Sequence, residues 1–155
     1  IYPKLFGTME ALAKLARTNK KLVNRFGATR RFPIWEGTMA HANERQAFNF
    51  PFQSEVSIYC HSATVDLHEL GKATGKWRIL YTIHDAIYGL IKETDDDTFF
   101  RIAALLKKVM ELKRKGMFLL TGPVEIGPNW FDCKPLEIPE EYLSLPLKEL
   151  ISSLL

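Results

Sequence analysis

Residues 81 to 93 read Y-T-I-H-D-A-I-Y-G-L-I-K-E and place a histidine and an aspartate between two apolar runs. The run from Lys76 to Ile83 and the run from Ile87 to Ile91 are rich in β-branched and aromatic residues, which favour strands. Because only a short link joins the runs, the sequence predicts an antiparallel hairpin with His84 and Asp85 near its tip. The fold is therefore expected to contain an antiparallel sheet.

Two interpretations of Asp85 remain open at this point. Aspartate is common in turns because its side chain bonds the nearby backbone, and the histidine beside it would then be incidental. A carboxylate on a tip held by two apolar strands is also well placed to bind a hard cation such as Mg²⁺, which prefers oxygen ligands.

Length and composition describe one ordinary globular domain, or a large part of one: the chain has 155 residues, 46% hydrophobic and 25% charged. The formal charge of +3 permits an anionic partner. No apolar run reaches membrane-spanning length and no signal peptide is visible, so we expect no membrane partner and a cytoplasmic location. The two cysteines, Cys60 and Cys133, lie far apart in no metal-ligand spacing, and Cys60 is expected to be a buried thiol.

The other elements alternate between helical and extended patterns. Helices are predicted from Pro3 to about Lys20, Met39 to Phe48, Pro51 to Gly71, Thr94 (as N-cap) to about Lys115, and Leu145 to Leu155. Strands are predicted at 22–26 and within 122–130, and residues 30–35 are predicted to be extended or a loop. Pro51 is expected to start a new helix because it lacks the N–H that a helix interior needs. The order predicts an α+β fold in which an antiparallel sheet packs against helices.

Two features of this pattern leave more than one outcome open. The C-terminal helix is amphipathic, and its apolar face either closes the core of this chain or docks on a partner. Arg45, Asn49 and Gln53 are spaced four apart and would share a helix face if the backbone stayed helical through Pro51. Such a row of planar donors is either a solvated polar face or a surface that contacts the minor groove, where A·T and T·A pairs present equivalent acceptors.

Several stretches, in order and at plausible intervals, are similar to elements of the A-family DNA polymerases, including the bacteriophage-type enzymes. They are Tyr2-Pro3 with the basic helix after it, F-G-A-T-R-R-F-P at 26–33, R-Q-A-F-N-F-P-F-Q at 45–53, I-H-D at 83–85 and I-G-P-N-W at 126–130. The resemblance covers most of the chain. It implies a palm-type antiparallel sheet, with residues 1–50 as the end of the fingers and a connecting segment and residues 51–155 as the C-terminal part of the palm.

The resemblance also implies an activity and roles for single residues. The activity is transfer of a nucleotide from a dNTP to the 3′-hydroxyl of a primer on template DNA, with a pair of Mg²⁺ ions. Asp85 would be one of two carboxylates that bind the metal, and His84 would lie near the primer terminus. The side chains implied at the minor groove and the new base pair are Arg45, Asn49 and Gln53. The side chains implied near the duplex backbone are Arg30 and Arg31.

The sequence departs from the family pattern in two ways. The glutamate that usually follows His-Asp in the family is Ala86 here. The family's first metal-binding aspartate and its nucleotide-binding fingers helix would precede Tyr2. We therefore expect a second polypeptide to carry them, so that this chain would be part of a split polymerase in the cytoplasm of a bacterium or of a phage-infected cell.

Two other functions are compatible with the same residues. One is a scaffold that binds duplex DNA without catalysing a reaction, which Ala86 favours. A less favoured alternative is a metal-dependent phosphohydrolase of the HD type, which would recruit further ligands from among His41, His61 and His68. That class carries its doublet on a helix, whereas His84-Asp85 is predicted to lie between strands.

Overall fold

The chain alternates helices with pairs of short antiparallel strands. A computed structural model describes residues 3–155, so Tyr2 of the Tyr2-Pro3 motif lies outside the described residues. The helices are α1 (Pro3–Asn19), α2 (Thr38–Thr74), α3 (Asp96–Met110), α4 (Glu140–Ser144) and α5 (Leu147–Leu154). The strands are β1 (Lys21–Val23), β2 (Thr29–Arg31), β3 (Trp77–Ile83), β4 (Ala86–Ile91), β5 (Glu125–Ile126) and β6 (Lys134–Pro135). The α+β class is confirmed, and within this part of the chain the strands form three separate antiparallel pairs.

Two compact units, Ile1–Tyr59 and Cys60–Leu155, divide the chain within α2. The first unit has a small core to which α1, the β1–β2 pair and the start of α2 contribute. Its buried members are Ala16, Leu22, Phe32, Trp35 and Ala47. The second unit has a larger core formed around α3 and α5. Its buried members are Leu67, Trp77, Ile102, Ala104, Leu105, Val109, Leu150 and Leu154.

Helix α2 runs without interruption from Thr38 to Thr74, so the predicted break at Pro51 is wrong. A proline inside a helix removes one backbone hydrogen bond and crowds the preceding turn, but it does not forbid the helix. Burial offsets that loss here, because Ala47 and Tyr59, on either side of Pro51, are fully buried. The Ser54 hydroxyl adds a local bond by donating to the Phe50 carbonyl at 2.5 Å.

Helix α3 begins and ends at other residues than its sequence suggests. The N-cap is Asp95 rather than Thr94, since the Asp95 carboxylate accepts from the Thr98 backbone N–H at 2.9 Å. The helix ends at Met110 instead of near Lys115. Gly116, with φ of 78°, lies in a tight reversal beyond the helix, where Arg114 and Met117 pair. Gly116, from which the sequence predicts the end of α3, therefore belongs to a separate turn beyond the helix.

The strand predicted at 22–26 is shorter in the structure and ends at Val23. Asn24 ends it because its side-chain oxygen accepts from the backbone N–H groups of Phe26 and Ala28, at 3.0 and 2.9 Å. An asparagine that bonds the backbone ahead of it favours a turn over a continuing strand.

The C-terminal helix closes the core of its own unit. Leu150 and Leu154 of α5 are buried against α3, in the cluster that also contains Ile102, Leu105 and Val109. Of the two outcomes left open by the sequence, the structure therefore favours the internal one. None of the helices in residues 3–155 combines the length and apolar character that a membrane crossing needs.

Candidate functional site

The hairpin of β3 and β4 is anchored to α2 at its base. Trp77 is buried, and its indole N–H donates to the Leu67 carbonyl at 3.0 Å. Gly71 permits this approach, because a Cβ at that position would lie 2.8 Å from both the Trp77 indole nitrogen and the Trp77 carbonyl oxygen. The base of the hairpin is thus fixed by a buried hydrogen bond and a close helix–strand contact.

A bulge in β3 gives the hairpin two apolar faces. The pairing shifts between Ile79 and Tyr81, so Leu80 is an extra residue and the alternation of side chains is offset beyond it. Trp77 and Ile79 pack on the core, whereas Tyr81 stacks on Tyr88 across the strands with ring centroids 5.2 Å apart. Trp130 stacks on both tyrosines, at 5.6 Å from Tyr81 and 4.4 Å from Tyr88. The outer face near the tip is therefore supported by three stacked rings.

The tip of the hairpin is a two-residue turn formed by His84 and Asp85, with Ile83 paired to Ala86 beneath it. This confirms the predicted hairpin and the position of the doublet. His84 has φ of 54°, the left-handed region that tight hairpin turns require of at least one of their two residues. Both side chains are exposed. The turn therefore presents an imidazole and a carboxylate to solvent on a short, supported loop.

Helix α2 contacts the backbone of the tip through a buried thiol. Cys60 is 6% exposed, as expected from sequence, and its Sγ donates to the Asp85 carbonyl oxygen at 3.8 Å. Burial raises the pKa of the Cys60 thiol, the negative charge of Asp85 raises it further, and Arg114 partly offsets both effects. Cys60 therefore stays protonated near neutral pH and supports the backbone of the turn.

The described side chains do not by themselves fit a magnesium site. Across residues 3–155, no three His, Cys, Asp or Glu side chains come together in a group that could hold a metal ion. Asp85 supplies one exposed carboxylate, which is too little for one divalent ion and far too little for a pair. The same finding gives the HD-type hydrolase no support. In addition, His84 and Asp85 lie in a turn between strands, whereas that class carries its His-Asp doublet on a helix.

In the first unit, the continuous α2 places the row of planar donors on one exposed stretch of helix surface. Arg45, Asn49 and Gln53 are all exposed, and the helix runs through all three. Residues four apart on a helix lie one above another, so the three side chains form a row along the helix axis. The three residues therefore share one helix face, as the sequence predicts if the helix continues through Pro51.

The β1–β2 pair is tied to the same stretch of α2. Asn24 Nδ2 donates to Ser54 Oγ at 2.8 Å, and the Arg25 guanidinium lies 3.1 Å from the Glu55 carboxylate. Arg30 Nη2 donates to Gln46 Oε1 at 2.7 Å. The structure thus brings Arg30 next to the donor row, one residue along the helix from Arg45.

Arg30 and Arg31 differ in their surroundings. Arg31 pairs across the strands with Lys21, and Arg30 pairs with the buried Leu22. Cross-strand partners project to one face of a sheet, so Arg31 lies on the outer face while Arg30 lies on the face that packs against the core. From sequence, Arg30 and Arg31 were expected to have the same role. Gln46 was not identified, because no local feature of the sequence distinguishes it from other glutamines on an exposed helix surface.

Comparison with known proteins matches most of this chain to bacterial DNA polymerases. It is 32% identical over 102 residues to the DNA polymerase I of Chloroflexus aurantiacus, covering 64% of this chain and 10% of the relative. It is 39% identical over 93 residues to that of Deinococcus radiodurans, covering 60% and 9%. It is 31% identical over 140 residues to the thermostable DNA polymerase I of Thermus thermophilus, covering 86% and 16%.

No family model and no solved structure matches the chain. The chain spans less than a fifth of the length of each of these relatives. The order of its motifs and these identities nevertheless lead to one conclusion. The chain belongs to the A family of DNA polymerases and matches a part of them.

Proposed function

We propose that this chain is the C-terminal palm portion of a template-directed A-family DNA polymerase, with an adjoining part of the fingers, acting in the cytoplasm of a bacterium or of a phage-infected cell. The observation that carries the proposal is Asp85, an exposed carboxylate on a hairpin tip that is anchored at its base. Within the described residues it takes part in no ion pair, so its oxygens are accessible to a ligand from outside.

In this proposal Asp85 contributes one carboxylate to a Mg²⁺ site whose other ligands come from beyond these residues. The other metal-binding aspartate and the helix that grips the dNTP are supplied by protein beyond these residues. Such ions, when bound by the complete set of ligands, would stabilise the charge that develops on the transferred phosphoryl group. His84, beside Asp85 in the same turn, lies near the primer terminus.

The donor row of α2 binds the primer–template duplex in its minor groove. Arg45, Asn49 and Gln53 present N–H groups, and purine N3 and pyrimidine O2 are acceptors in all base pairs. Contacts of this kind respond to the shape of a correct pair and not to its identity, as copying of any template requires. Arg30 and Arg31 contribute positive charge for the phosphate backbone, which supplies much of the affinity.

Primer extension tests this proposal directly. We expect the isolated chain to extend no primer, and the native complex purified around it to extend one in the presence of Mg²⁺ and dNTPs. In that complex, Asp85→Asn should abolish extension because it removes a negative charge from the metal site. Glu93→Gln, an exposed acid just past β4, is the matched control and should leave the rate unchanged.

Two results would contradict the proposal. Robust extension by the isolated chain shows that no metal ligand from beyond these residues is needed. Full extension by the Asp85→Asn complex shows that this carboxylate holds no catalytic metal. Mass spectrometry of the purified complex identifies the polypeptide that accompanies the chain.

A scaffold that binds duplex DNA without catalysis is the second candidate. Two observations favour it: Ala86 stands where the family has a glutamate, and the described residues form no group of three metal ligands. The Asp85→Asn variant separates the two candidate functions. If the chain is a scaffold, the variant still binds duplex DNA and the complex extends primers at an unchanged rate.

A further inference from the structure

The guanidinium of Arg30 is held by two contacts within the first unit. Its Nη2 donates to Gln46 Oε1 at 2.7 Å, and its central carbon lies 5.8 Å from the centroid of the Phe32 ring. Phe32 is only 1% exposed, so this ring is a fixed part of the core. A cation near an aromatic ring is attracted to it, and this contact adds to the hydrogen bond. A long, exposed arginine is therefore restrained at its charged end.

The strand register explains why Arg30 reaches this position. Arg30 lies opposite Leu22, whose side chain is buried, so the aliphatic stem of Arg30 runs along the face that packs on the core. Its charged head emerges where that face meets α2, as long basic side chains commonly do. Arg31 lies on the other face, opposite Lys21, and its guanidinium takes part in no ion pair with the described residues.

Gln46 is suited to this contact because it accepts a hydrogen bond without adding charge. Arg30 has five N–H donors, and the bond to Gln46 engages one nitrogen, which leaves a fork of donors for an oxyanion. A glutamate in its place would orient Arg30 equally well but would neutralise it. Gln46 also lies one residue from Arg45 and one turn from Asn49, so it fixes Arg30 beside the donor row.

We propose that Gln46 is a positioning residue that holds the Arg30 guanidinium ready to bind a phosphate of the primer–template duplex. This inference rests on the proposed function, because it assumes that this surface binds duplex DNA. An arginine that is already ordered loses less side-chain entropy on binding, and the hydrogen bond to Gln46 is what orders it.

A double-mutant cycle measured with the full chain and a short DNA duplex tests the proposal. Gln46→Met removes the acceptor at nearly constant size and helix propensity, so the unfolding temperature should not change. By fluorescence anisotropy at low salt, Gln46→Met should weaken duplex binding about twofold to tenfold, the effect of ordering one long side chain on binding. In an Arg30→Ala background, the same change should have no effect, since the group that it positions is gone.

Two further measurements separate positioning from a general loss of affinity. Arg30→Ala should lower the slope of log affinity against log salt by about 0.9, one phosphate contact, and Gln46→Met by part of that. Arg31→Ala is the matched comparison: because Arg31 lies on the other face, its effect and that of Gln46→Met should simply add.

Each other outcome has a definite meaning. Equal losses from Gln46→Met with and without Arg30 overturn the positioning role, as does an unchanged affinity of Gln46→Met when Arg30→Ala weakens binding. If the chain binds duplex DNA and Arg30→Ala has no effect, this inference fails while the proposed function stands. If the chain binds no duplex at low salt, the proposed duplex-binding role fails together with the inference.

Discussion

Gly71 lies where β3 meets α2, and its lack of a side chain sets how closely the two elements approach. A Cβ there would lie 2.8 Å from backbone and indole atoms of Trp77, and the backbone atom cannot move aside cheaply. The indole also donates the hydrogen bond that anchors the hairpin. A single residue thus controls the support of the turn that carries Asp85.

We therefore expect Gly71→Ala to lower the free energy of unfolding by about 1–3 kcal/mol, the usual effect of overpacking a close contact. The measurement is urea unfolding followed by tryptophan fluorescence and circular dichroism. Gly7→Ala is the control, because Gly7 is also helical but a Cβ there would meet nothing within 4 Å. That change should instead stabilise α1 by up to about 1 kcal/mol. An unchanged stability of Gly71→Ala would contradict the close approach.

At the scale of elements, the start of α3 depends on a charged cap. The pKa of Asp95 is lowered because the Thr98 backbone N–H donates to its carboxylate. The folded state therefore prefers the ionised form. The stabilisation is present at pH values above the pKa of the unfolded carboxyl, and it is lost as pH falls through the lower folded pKa.

The stability of the protein should therefore depend on pH, and replacing Asp95 should reduce this dependence. The wild-type unfolding temperature should fall as pH is lowered from about 5 to about 2, and Asp95→Asn should show a smaller fall because asparagine caps the helix without titrating. Circular dichroism at a series of pH values measures both. Asp96→Asn, which removes the neighbouring acid but not the cap, serves as control. Identical pH profiles for Asp95→Asn and wild type would show that the cap does not titrate as described.

The packing of α5 on α3 gives a second prediction at this scale. Leu150 is fully buried, so Leu150→Ala should lower the free energy of unfolding by about 2–5 kcal/mol through lost burial and a cavity. Leu155→Ala is the matched control because Leu155 is 75% exposed, and it should change stability little. If α5 served mainly to dock on a partner, Leu150→Ala would leave the isolated chain as stable as wild type.

For the whole molecule, binding of duplex DNA should depend on salt but not on base sequence. The proposed minor-groove donors meet purine N3 and pyrimidine O2, which are acceptors in every base pair, and phosphate contacts carry no sequence information. Duplexes rich in A·T and in G·C should bind with affinities within about threefold of each other, and affinity should fall steadily as salt rises. Anisotropy titrations measure both quantities. A strong preference for one base sequence would contradict the minor-groove assignment of Arg45, Asn49 and Gln53.

The amount of this structure that is accessible from sequence differs from element to element. The β3–β4 hairpin follows from two apolar runs and a short link, which are local properties. The fold class and the helix that begins at Pro3 follow from periodicity in the same way. The start of α3 is not accessible in this way, because Thr94 and Asp95 are both good caps and only the hydrogen bond to Thr98 distinguishes them.

By itself, then, the sequence determined the hairpin with Asp85 at its tip, and the four-residue spacing that aligns Arg45, Asn49 and Gln53 on a helix. The tertiary structure alone decided that α2 continues through Pro51, that the Leu80 bulge turns Tyr81 away from the core, and that Arg30 meets Gln46. The physical reason is the range of the interactions involved. Periodicity and turn chemistry act between near neighbours, whereas burial and side-chain pairing join residues that lie far apart along the chain.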